Sequence, residues 1–594
     1  MPPHRDFVSL VRENIREHGD DRSFTFISEE RGRTYKENVL GFAELDRKAR
    51  ALACRLEARG LRDKAVLLLY PEGLEFLTAF LGCLYARVVA VPAPLPDLDA
   101  ERFGRTRRII EDADITLILT DAAHRDTIDG WLDGGGLKGR VHCLDTSGED
   151  VDPGAWTPPG FGPDTLAFLQ YTSGSTSEPK GVMVTHGNLL SNGEEIKRRI
   201  GGSSDTVGVG WVPHYHDMGL VGQFLQPLYL GCRYVFTSPI TFIKRPVLWL
   251  ELITRHRGTI TVAPNFGYDL ALRRVTDRQM EGLDLSSLQV AKNGAEPVRA
   301  ATLERMIERF APVGFRPEMW MPCYGMAETT LLITAAPLGG GPVIRDFDAA
   351  ALTRDTAVPH DPSPTQDGEG GGVRRLVSSG RPVTLDVRVV DPVALKERPE
   401  GHVGEIWVGG GSVARGYWRS PEETRAGFQA RTADGEGPYL RTGDLGFVAD
   451  GELYVTGRIK DLIIVNGRNI YAHDIEEAAR DAHPAALTGA AFVVDPEPGR
   501  DDGVEHVVLV QEISTRAAAG TPLDEVASLI RTRAARAFEL PALSVVLTGR
   551  GTVRRTTSGK LQRLHTRRAY LAGEITELAR DLEPGVAGPF PDPG

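Results

Sequence analysis

Short apolar runs alternate with helical patterns through the first third of the 594-residue chain. Residues 65–70 (AVLLLY) and 88–91 (VVAV) predict buried strands, and residues 74–85 between them predict a helix. The strand pattern returns at 115–120 (ITLILT). Strands that are separated by helices pair in parallel as βαβ units, so we expect an α/β fold.

The amino-acid composition and the predicted secondary structure change twice in the second half of the chain. Residues 355–372 are rich in proline, glycine and acidic residues, which predicts a surface insert with little buried area. Short strands near 385–390 and 405–408 then indicate a smaller β-rich subdomain. After Gly457, a helix at 472–482 and further strands indicate a compact α+β unit. Several domains agree with the length, since single hydrophobic cores stop growing at about 250–300 residues.

Composition and charge narrow the class of protein. The formal net charge of −12 argues against a general nucleic-acid binder, which needs a basic face. The five cysteines form no CxxC pair, which predicts neither a zinc site nor a disulfide framework and suits a reducing compartment. Residues 1–6 lack the apolar core of a signal peptide, and the longest apolar stretch, 77–94, is interrupted by Arg87. We therefore expect a cytoplasmic protein without membrane insertion.

A loop rich in hydroxyl groups, 172–181 (TSGSTSEPKG), follows a strand-like run at 168–171. Backbone N–H groups and hydroxyls of such a loop can bind phosphate oxygens, while its lysine supplies positive charge; the spacing is not that of a Walker loop. A flexible linker is the alternative reading. Because another apolar run follows at 181–184, a phosphate-binding loop is favoured. The candidate phosphate ligands are Thr172, Ser173, Gly174, Ser175, Thr176 and Lys180.

Three further segments combine polar side chains with turns. Residues 211–219 hold His216, a second histidine and an aspartate, which could bind a metal, move protons or simply pack. Residues 293–297 (NGAEP) are typical of an ordinary Asn–Gly turn when they occur alone. In 324–330 (YGMAETT), the Glu328 carboxylate could hold Mg²⁺, which prefers oxygen ligands, or could be only a helix N-terminal charge.

Residues 171–186 (YTSGSTSEPKGVMVTH) resemble the signature of the adenylate-forming superfamily, which includes acyl-CoA synthetases, luciferases and peptide-synthetase adenylation domains. Further motifs of that superfamily follow in its order over nearly the whole chain. The resemblance implies a large N-terminal domain of α/β subdomains and a β-rich subdomain (1–456), a hinge (457–461) and a small mobile α+β domain (462–594). The further motifs are 211–219 (WVPHYHDMG), 293–297 (NGAEP), 324–330 (YGMAETT), 439–446 (YLRTGDLG), 457–461 (GRIKD) and 555–560 (RTTSGK).

The resemblance also implies roles for the motif residues, with His216, Glu328 and Lys560 as the catalytic ones. The position of His216 lies beside the substrate carboxylate and the phosphates, and Glu328 with Thr176 would hold Mg²⁺. Asp444 would accept hydrogen bonds from both ribose hydroxyls. Lys560 would follow the negative charge that grows on the bridging oxygens during attack on the α-phosphate. The other implied ATP- or AMP-binding residues are Asn293, Gly294, Ala295, Glu296, Tyr324, Gly325, Met326, Ala327 and Arg458, and Lys460 is the implied hinge residue.

Five segments resemble fatty acyl-AMP ligases rather than fatty acyl-CoA ligases. That group carries an extra segment in the large domain, which falls at about 346–375 here. The resemblance implies activation of a fatty acid with ATP and Mg²⁺, then acyl transfer to the phosphopantetheine thiol of an acyl carrier protein acting in trans. Asn466 and Ala472 depart from the residues expected near the site of acyl transfer. The five segments are 215–220, 226–229, 264–269, 293–298 and 461–469.

Two alternatives stay open from the sequence. A fatty acyl-CoA ligase would use coenzyme A in place of the carrier protein, and an inactive relative would serve as a nucleotide-binding scaffold. The presence of Glu328, Asp444 and Lys560 weighs against a scaffold. The acyl chain is expected in an apolar channel bordered by 211–226 and 236–268, in a monomer or a homodimer.

Overall fold

The computed structural model describes residues 4–30, 34–96, 100–148, 151–172, 179–360, 372–465, 467–494, 506–538, 540–555 and 561–583. Strands up to residue 335 are β1 (Ser23–Glu29), β2 (Tyr35–Gly41), β3 (Ala65–Leu69), β4 (Val89–Ala93), β5 (Leu117–Thr120), β6 (His142–Asp145), β7 (Leu166–Thr172), β8 (Lys180–Thr185), β9 (Val207–Gly210), β10 (Arg233–Thr237), β11 (Ile260–Ala263), β12 (Val290–Asn293), β13 (Trp320–Gly325) and β14 (Leu332–Ala335). Later strands are β15 (Ile344–Asp348), β16 (Val373–Val377), β17 (Asp386–Val390), β18 (Gly404–Gly409), β19 (Leu440–Ala449), β20 (Glu452–Arg458), β21 (Leu462–Val465), β22 (Arg468–Tyr471), β23 (Ala486–Val494), β24 (His506–Ile513), β25 (Leu543–Thr548) and β26 (Glu577–Asp581).

The helices connect these strands and cover their sheets. A π-helical turn, Leu220–Leu225, joins two of the short helices. The helices are α1 (Phe7–His18), α2 (Phe42–Glu57), α3 (Glu75–Tyr85), α4 (Ala100–Asp112), α5 (Arg125–Gly134), α6 (His186–Ile200), α7 (Asp217–Gly219), α8 (Gln226–Leu230), α9 (Pro239–Lys244), α10 (Val247–His256), α11 (Asn265–Arg274), α12 (Asp277–Met280), α13 (Ala300–Phe310), α14 (Ala349–Leu352), α15 (Pro421–Phe428), α16 (Ala472–Ala482), α17 (Leu523–Phe538) and α18 (Arg563–Leu571).

The predicted strands of the first third lie in one sheet with the order β6-β5-β3-β4-β7-β8. Every pairing in it is parallel except that of β7 with β8, which form an antiparallel hairpin. All residues of β3 and β4 are buried, as expected for continuous apolar runs that are covered on both faces. The prediction of an α/β core with parallel strands is therefore confirmed.

A second sheet, with the order β14-β13-β12-β11-β9-β10-β1-β2, brings the remaining motif segments together. Its central strands β9, β11, β12 and β13 are parallel neighbours, so their carboxyl ends share one edge. The 211–219 segment follows β9, the 293–297 segment follows β12, and the 324–330 segment follows β13. Ligands of open parallel sheets bind outside the carboxyl ends of the strands, which makes this edge the place to look for a site.

The predicted β-rich subdomain consists of β17 to β20 in an antiparallel sheet. The strands predicted near 385–390 and 405–408 are β17 and β18, so this prediction is confirmed. In the last pair of the sheet, Asp444 of β19 stands opposite Arg458 of β20. The sheet therefore places a carboxylate and a guanidinium side by side where the chain leaves the subdomain.

The predicted insert is more ordered at its ends than its composition indicates. Residues 361–371 lie outside the described part of the chain, but β15 and β16 pair in antiparallel register on either side of them. Phe347 of β15 is fully buried, with its ring 5.1 Å from that of Phe447 and 5.3 Å from that of Tyr454. This aromatic contact holds β15, which precedes the predicted insert, against the β-rich subdomain. Within 355–372 itself, the described residues other than Ala357 are at least partly exposed, as expected.

The last part of the chain forms the predicted α+β unit. Helix α16 (Ala472–Ala482) has the predicted bounds, and α16 and α17 pack on a sheet with the order β23-β24-β25-β26. Asp461 lies in the short helical turn Ile459–Asp461, between the β-rich subdomain and β21. The boundaries 1–456, 457–461 and 462–594 stay a prediction. No helix in the described ranges is long and apolar enough to cross a membrane.

We expect Phe347→Ala to lower the stability of the protein by about 3–5 kcal/mol, because it removes a buried ring from two aromatic contacts. The matched control is Val373→Ala on the neighbouring strand, where the side chain is 47% exposed, and it should cost less than about 0.5 kcal/mol. The apparent midpoint of thermal unfolding measures both. Equal midpoints for the two variants would contradict the anchoring role of Phe347.

Candidate active site

The predicted phosphate loop connects the two strands of the β7–β8 hairpin. Thr172 stands opposite Lys180 in the register of this pair. The Lys180 ammonium donates a hydrogen bond to Oε1 of Glu423 at 2.6 Å and lies 5.3 Å from the centre of the Tyr417 ring. Because the segment joins paired strands of one sheet, it is not a linker between domains. The candidate residues Ser173, Gly174, Ser175 and Thr176 lie outside the described residues.

The two histidines of the 211–219 segment have different environments. The Nδ1 atom of His216 lies 2.7 Å from Oδ1 of Asp217, and His216 lines a cavity at the sheet edge. His214 is 1% exposed, with its Nδ1 atom 2.8 Å from Glu72 and its ring 4.0 Å from that of Phe76. His214, the second histidine of this segment, is therefore packed in the core, whereas His216 faces the cavity.

The 293–296 segment approaches its neighbours too closely for larger residues. A Cβ atom on Gly294 would lie 2.7 Å from the carbonyl oxygen of Cys323, and Ala295 has a left-handed φ of 67°. Asn293 is fully buried, and its side-chain oxygen has no hydrogen-bond partner within the described structure. Burial raises the pKa of Glu296, while a backbone hydrogen bond from Phe266 and the nearby positive charge of Arg555 oppose the shift.

The 324–330 segment makes a tight turn after β13. A Cβ atom on Gly325 would lie 1.8 Å from the carbonyl oxygen of Leu331, so only glycine fits there. Thr330 has a φ of 69°, which is rare for a β-branched residue, inside a turn closed by the Leu331 N–H and the Thr329 carbonyl. Such strained backbone clusters at functional sites. The turn holds Met326 and Ala327, both candidates, between Gly325 and Glu328.

Asp444 is the centre of a hydrogen-bonded cluster. The Tyr324 hydroxyl donates to Oδ2 of Asp444 at 2.7 Å, and Nε of Arg458 donates to Oδ1 at 3.0 Å. Asp444 is 5% exposed. The negative charge of Asp444 raises the pKa of Arg458, and burial raises the pKa of Tyr324 well above its usual value. Three residues from separate motifs thus meet around one carboxylate.

Glu328 is a second buried carboxylate near this cluster. Its Oε1 atom accepts a hydrogen bond from the Tyr417 hydroxyl at 2.9 Å. Burial raises the pKa of Glu328, although the Tyr417 hydrogen bond and the positive charge of Arg458 oppose the shift, and the charge of Asp217 reinforces it. The carboxylate is thus short of positive charge in the unliganded protein, which is the environment that a hard cation fits.

Two candidate lysines belong to the last part of the chain. Lys460 is exposed in the turn Ile459–Asp461, directly after Arg458 and Ile459. Lys560 lies outside the described residues, in a segment whose flanking residues Arg555 and Leu561 form an isolated antiparallel bridge. The positive charge of Arg555 opposes the rise in the pKa of Glu296, so Arg555 lies near the candidate adenine-facing loop.

A largely apolar cavity lies between the second sheet and α6, next to the cluster around Asp444. His216, Ala295, Tyr324 and Gly325 are among its lining residues. The predicted borders 211–226 and 236–268 contribute lining residues to this cavity. Helix α6 and the region after β13 form further walls, which the sequence did not predict. Apolar lining residues include Ile196, Ile200, Met218, Val262, Met321 and Leu331.

Sequence reasoning also missed Tyr417 and Glu423, which contact Glu328 and Lys180. Tyr417 lies 89 residues from Glu328 and Glu423 lies 243 residues from Lys180, and neither belongs to a recognised motif. The described residues include no group of three or more histidine, cysteine or acidic side chains placed to hold a metal ion.

Comparisons with known proteins identify the family of this chain. The family of AMP-binding enzymes matches residues 11–418. The chain therefore belongs to the family of AMP-binding enzymes, and its resemblance to fatty acyl-AMP ligases of the adenylate-forming superfamily is confirmed by the following relatives.

The medium-chain-fatty-acid–[acyl-carrier-protein] ligase JamA of Moorena producens (strain JHB) is 42% identical over 550 residues, which cover 91% of each chain. The 4-hydroxyphenylalkanoate adenylyltransferase of Mycobacterium marinum is 37% identical over 575 residues, 92% of this chain and 89% of that protein. A crystal structure of a fatty acyl-adenylate ligase from L. pneumophila, in complex with acyl adenylate and pyrophosphate, is similar with a TM-score of 0.73, 35% identity and 98% coverage of both chains.

We expect Glu328→Gln to stabilise the unliganded protein at neutral pH. Because burial raises the pKa of Glu328 in the folded state, the ionised carboxylate costs stability above that pKa. The gain from glutamine should therefore be largest at pH 7–8 and vanish below the pKa of the unfolded chain, about 4.3, where Glu328 is protonated in both states. Thermal unfolding midpoints from pH 4 to 8 measure it. Glu308→Gln, at an exposed position, is the control; a gain that is independent of pH would contradict the assignment.

Proposed function

We propose that this chain activates a fatty acid with ATP to an acyl-adenylate, and then transfers the acyl group to the phosphopantetheine thiol of an acyl carrier protein. The observation that carries this proposal is that the apolar cavity borders the hydrogen-bonded cluster around Asp444. Tyr324 lines the cavity and also donates to Asp444, so an acid in the cavity would end beside the nucleotide candidates. Relatives named as a fatty-acid–carrier-protein ligase and a fatty acyl-adenylate ligase support it.

We assign the nucleotide to the edge formed by the ends of β12 and β13. Asn293, Gly294, Ala295 and Glu296 would face the adenine, and Asp444 would hold the ribose hydroxyls. Tyr324 donates to one oxygen of this carboxylate and Arg458 to the other. Ribose binding would therefore exchange or share existing hydrogen bonds, and would not require a new buried charge.

Mg²⁺ would enter with ATP and be held by Glu328, together with Thr176 of the phosphate loop. The charge deficit around Glu328 fits this role, since a divalent cation would compensate the buried carboxylate. When bound there, Mg²⁺ would supply positive charge against the phosphates and the departing pyrophosphate. Within the described residues, the other phosphate candidates are Thr172 and Lys180, and Lys180 donates to Glu423.

In the first half-reaction, a carboxylate oxygen of the acid bonds to the α-phosphorus of ATP, and the bond to the bridging oxygen breaks to release pyrophosphate. Positioning and charge stabilisation carry such a step, with little acid–base chemistry. We assign the stabilising charge to Lys560 and the place beside the reacting carboxylate to His216. Because the acyl-adenylate is a reactive anhydride, water must be excluded until the acceptor arrives.

In the second half-reaction, the carrier thiol loses its proton and attacks the acyl carbon, and AMP leaves. We propose that the small domain, 462–594, moves about Lys460 between the two steps, so that one domain serves both. The carrier would bind in trans. A cytoplasmic location suits both ATP and a reduced thiol.

The decisive assay for the first half-reaction is fatty-acid-dependent exchange of pyrophosphate into ATP. We expect exchange in the wild-type protein and a loss of about 100-fold or more in Lys560→Ala, comparable with removing one charge stabiliser. Lys396→Ala, which removes an exposed lysine of the β-rich subdomain, should keep full exchange. Exchange that is normal in Lys560→Ala would refute its role, and absent exchange in the wild type would favour a nucleotide-binding scaffold.

The acceptor is tested by supplying either holo-acyl carrier protein or coenzyme A after the acyl-adenylate has formed. We expect acyl transfer to the carrier thiol to be faster by about 10-fold or more at equal thiol concentration, which corresponds to a difference of about 1.4 kcal/mol. Mass spectrometry of the two thioesters gives the ratio. Faster formation of acyl-coenzyme A would reassign the chain as a fatty acyl-CoA ligase.

A further inference from the structure

A lysine lies in the wall of the apolar cavity, where the mechanism has no use for it. Lys292 belongs to β12, in the middle of the second sheet, between Val262 of β11 and Met321 of β13. It is 8% exposed. Lysine is almost never this deeply buried unless it is paired, so its presence among apolar neighbours requires an explanation.

Lys292 also lies where two cavities meet. The cavity described above and a second one, farther along the same face of the sheet, share Ile200, Gly222, Val262 and Lys292 in their linings. The first cavity is lined by His216, the candidate neighbour of the substrate carboxylate, and by the nucleotide candidates Ala295, Tyr324 and Gly325. The second continues toward Leu230, so an acyl chain that starts near His216 and extends from the first cavity into the second passes Lys292.

The Lys292 ammonium has no acidic or hydrogen-bonding partner in the part of the chain that the structure describes. Burial lowers the pKa of Lys292, and the nearby Cys323 thiol offsets this only as a thiolate. The other charged groups of the cavity are engaged elsewhere: Asp217 with His216, and Arg199 with Glu195. Burial also raises the pKa of the Cys323 thiol to about 11, so that thiol carries no charge near pH 7.

A buried amine without a partner has an unfavourable desolvation free energy, and a plain alkyl chain in the cavity would make it more unfavourable. Each methylene group that fills the cavity displaces water which could otherwise solvate Lys292. An oxygen atom on the chain would instead accept a hydrogen bond from Nζ and recover the lost solvation. The cavity thus discriminates against plain long chains and in favour of chains with an oxygen at this point.

We propose that Lys292 is a specificity-determining residue that binds an oxygen function on the acyl chain, several carbons from the reacting carboxylate. This inference rests on the proposed function and names the class of acid: one with a hydroxyl, a carbonyl or a second carboxylate as hydrogen-bond acceptor. The oxygen would lie at the junction of the two cavities. Plain acids short enough to end before Lys292 would still be accepted.

The test measures acid-dependent pyrophosphate exchange with three series of equal lengths, from six to fourteen carbons: plain fatty acids, ω-hydroxy acids and α,ω-dicarboxylic acids. At the length that brings the oxygen to Lys292, we expect the wild-type protein to prefer the oxygenated acid by about 10-fold or more in kcat/KM, since a hydrogen bond to a charged group contributes about 1.5–3 kcal/mol. In Lys292→Met, which keeps the length of the side chain, the preference should disappear and longer plain acids should be accepted.

Lys292→Gln separates the two kinds of oxygen. It should keep part of the preference for a hydroxyl but lose the preference for a second carboxylate, because the amide has donors without charge. Val262→Ile is the matched control on the neighbouring strand. It should shift the preferred chain length, because it fills the cavity, but leave the ratio of oxygenated to plain acid unchanged.

The thermal unfolding temperature, measured without substrate, shows whether a variant only perturbs the fold. Lys292→Met should unfold at a higher temperature than the wild type, because it removes an unpaired buried amine. Exchange with plain acids at every length, with no oxygen preference in the wild type and no change in Lys292→Met, would overturn this inference and leave the proposed function intact. Exchange with no acid of any series would overturn both.

Discussion

The buried carboxylate of Asp444 fixes the relation between the parts of this protein that form the candidate site. It accepts one hydrogen bond from Tyr324, at the end of β13 in the second sheet, and one from Arg458, at the end of β20 in the β-rich subdomain. A buried charge with two donors is stable, and removal of either donor would leave part of it unpaired. The site, the subdomain and the start of the hinge therefore depend on one side chain.

The backbone turns at the ends of β12 and β13 are also tightly constrained. Gly294 and Gly325 leave no room for a Cβ atom where two neighbouring strands end, and Thr330 keeps a left-handed conformation next to them. These turns hold Glu328 in a buried position where it is short of positive charge. The protein thus holds strained backbone and a buried carboxylate together at the candidate site, and packing elsewhere in the fold offsets their cost.

Local patterns predicted most of the fold, and long-range contacts account for what they missed. The run at 65–70 and the helix at 472–482 carry their own apolar periodicity, so their type was readable from the sequence. Burial of Phe347 depends on Phe447 and Tyr454, which lie far along the chain, and composition could not reveal it. In the site, the motif residues of β13 and β19 were recognisable, whereas partners outside the motifs and a lone lysine in a strand carried no signal.

We propose that the acid attacks the α-phosphorus of ATP, and isotope transfer tests this step most directly. A fatty acid labelled with ¹⁸O in its carboxylate would be incubated with the protein, ATP, Mg²⁺ and holo-carrier protein. We expect the AMP that is released after acyl transfer to carry one ¹⁸O in its phosphate, and the pyrophosphate to carry none. Label in inorganic phosphate, with ADP as the other product, would show attack at the γ-phosphorus and would contradict the account.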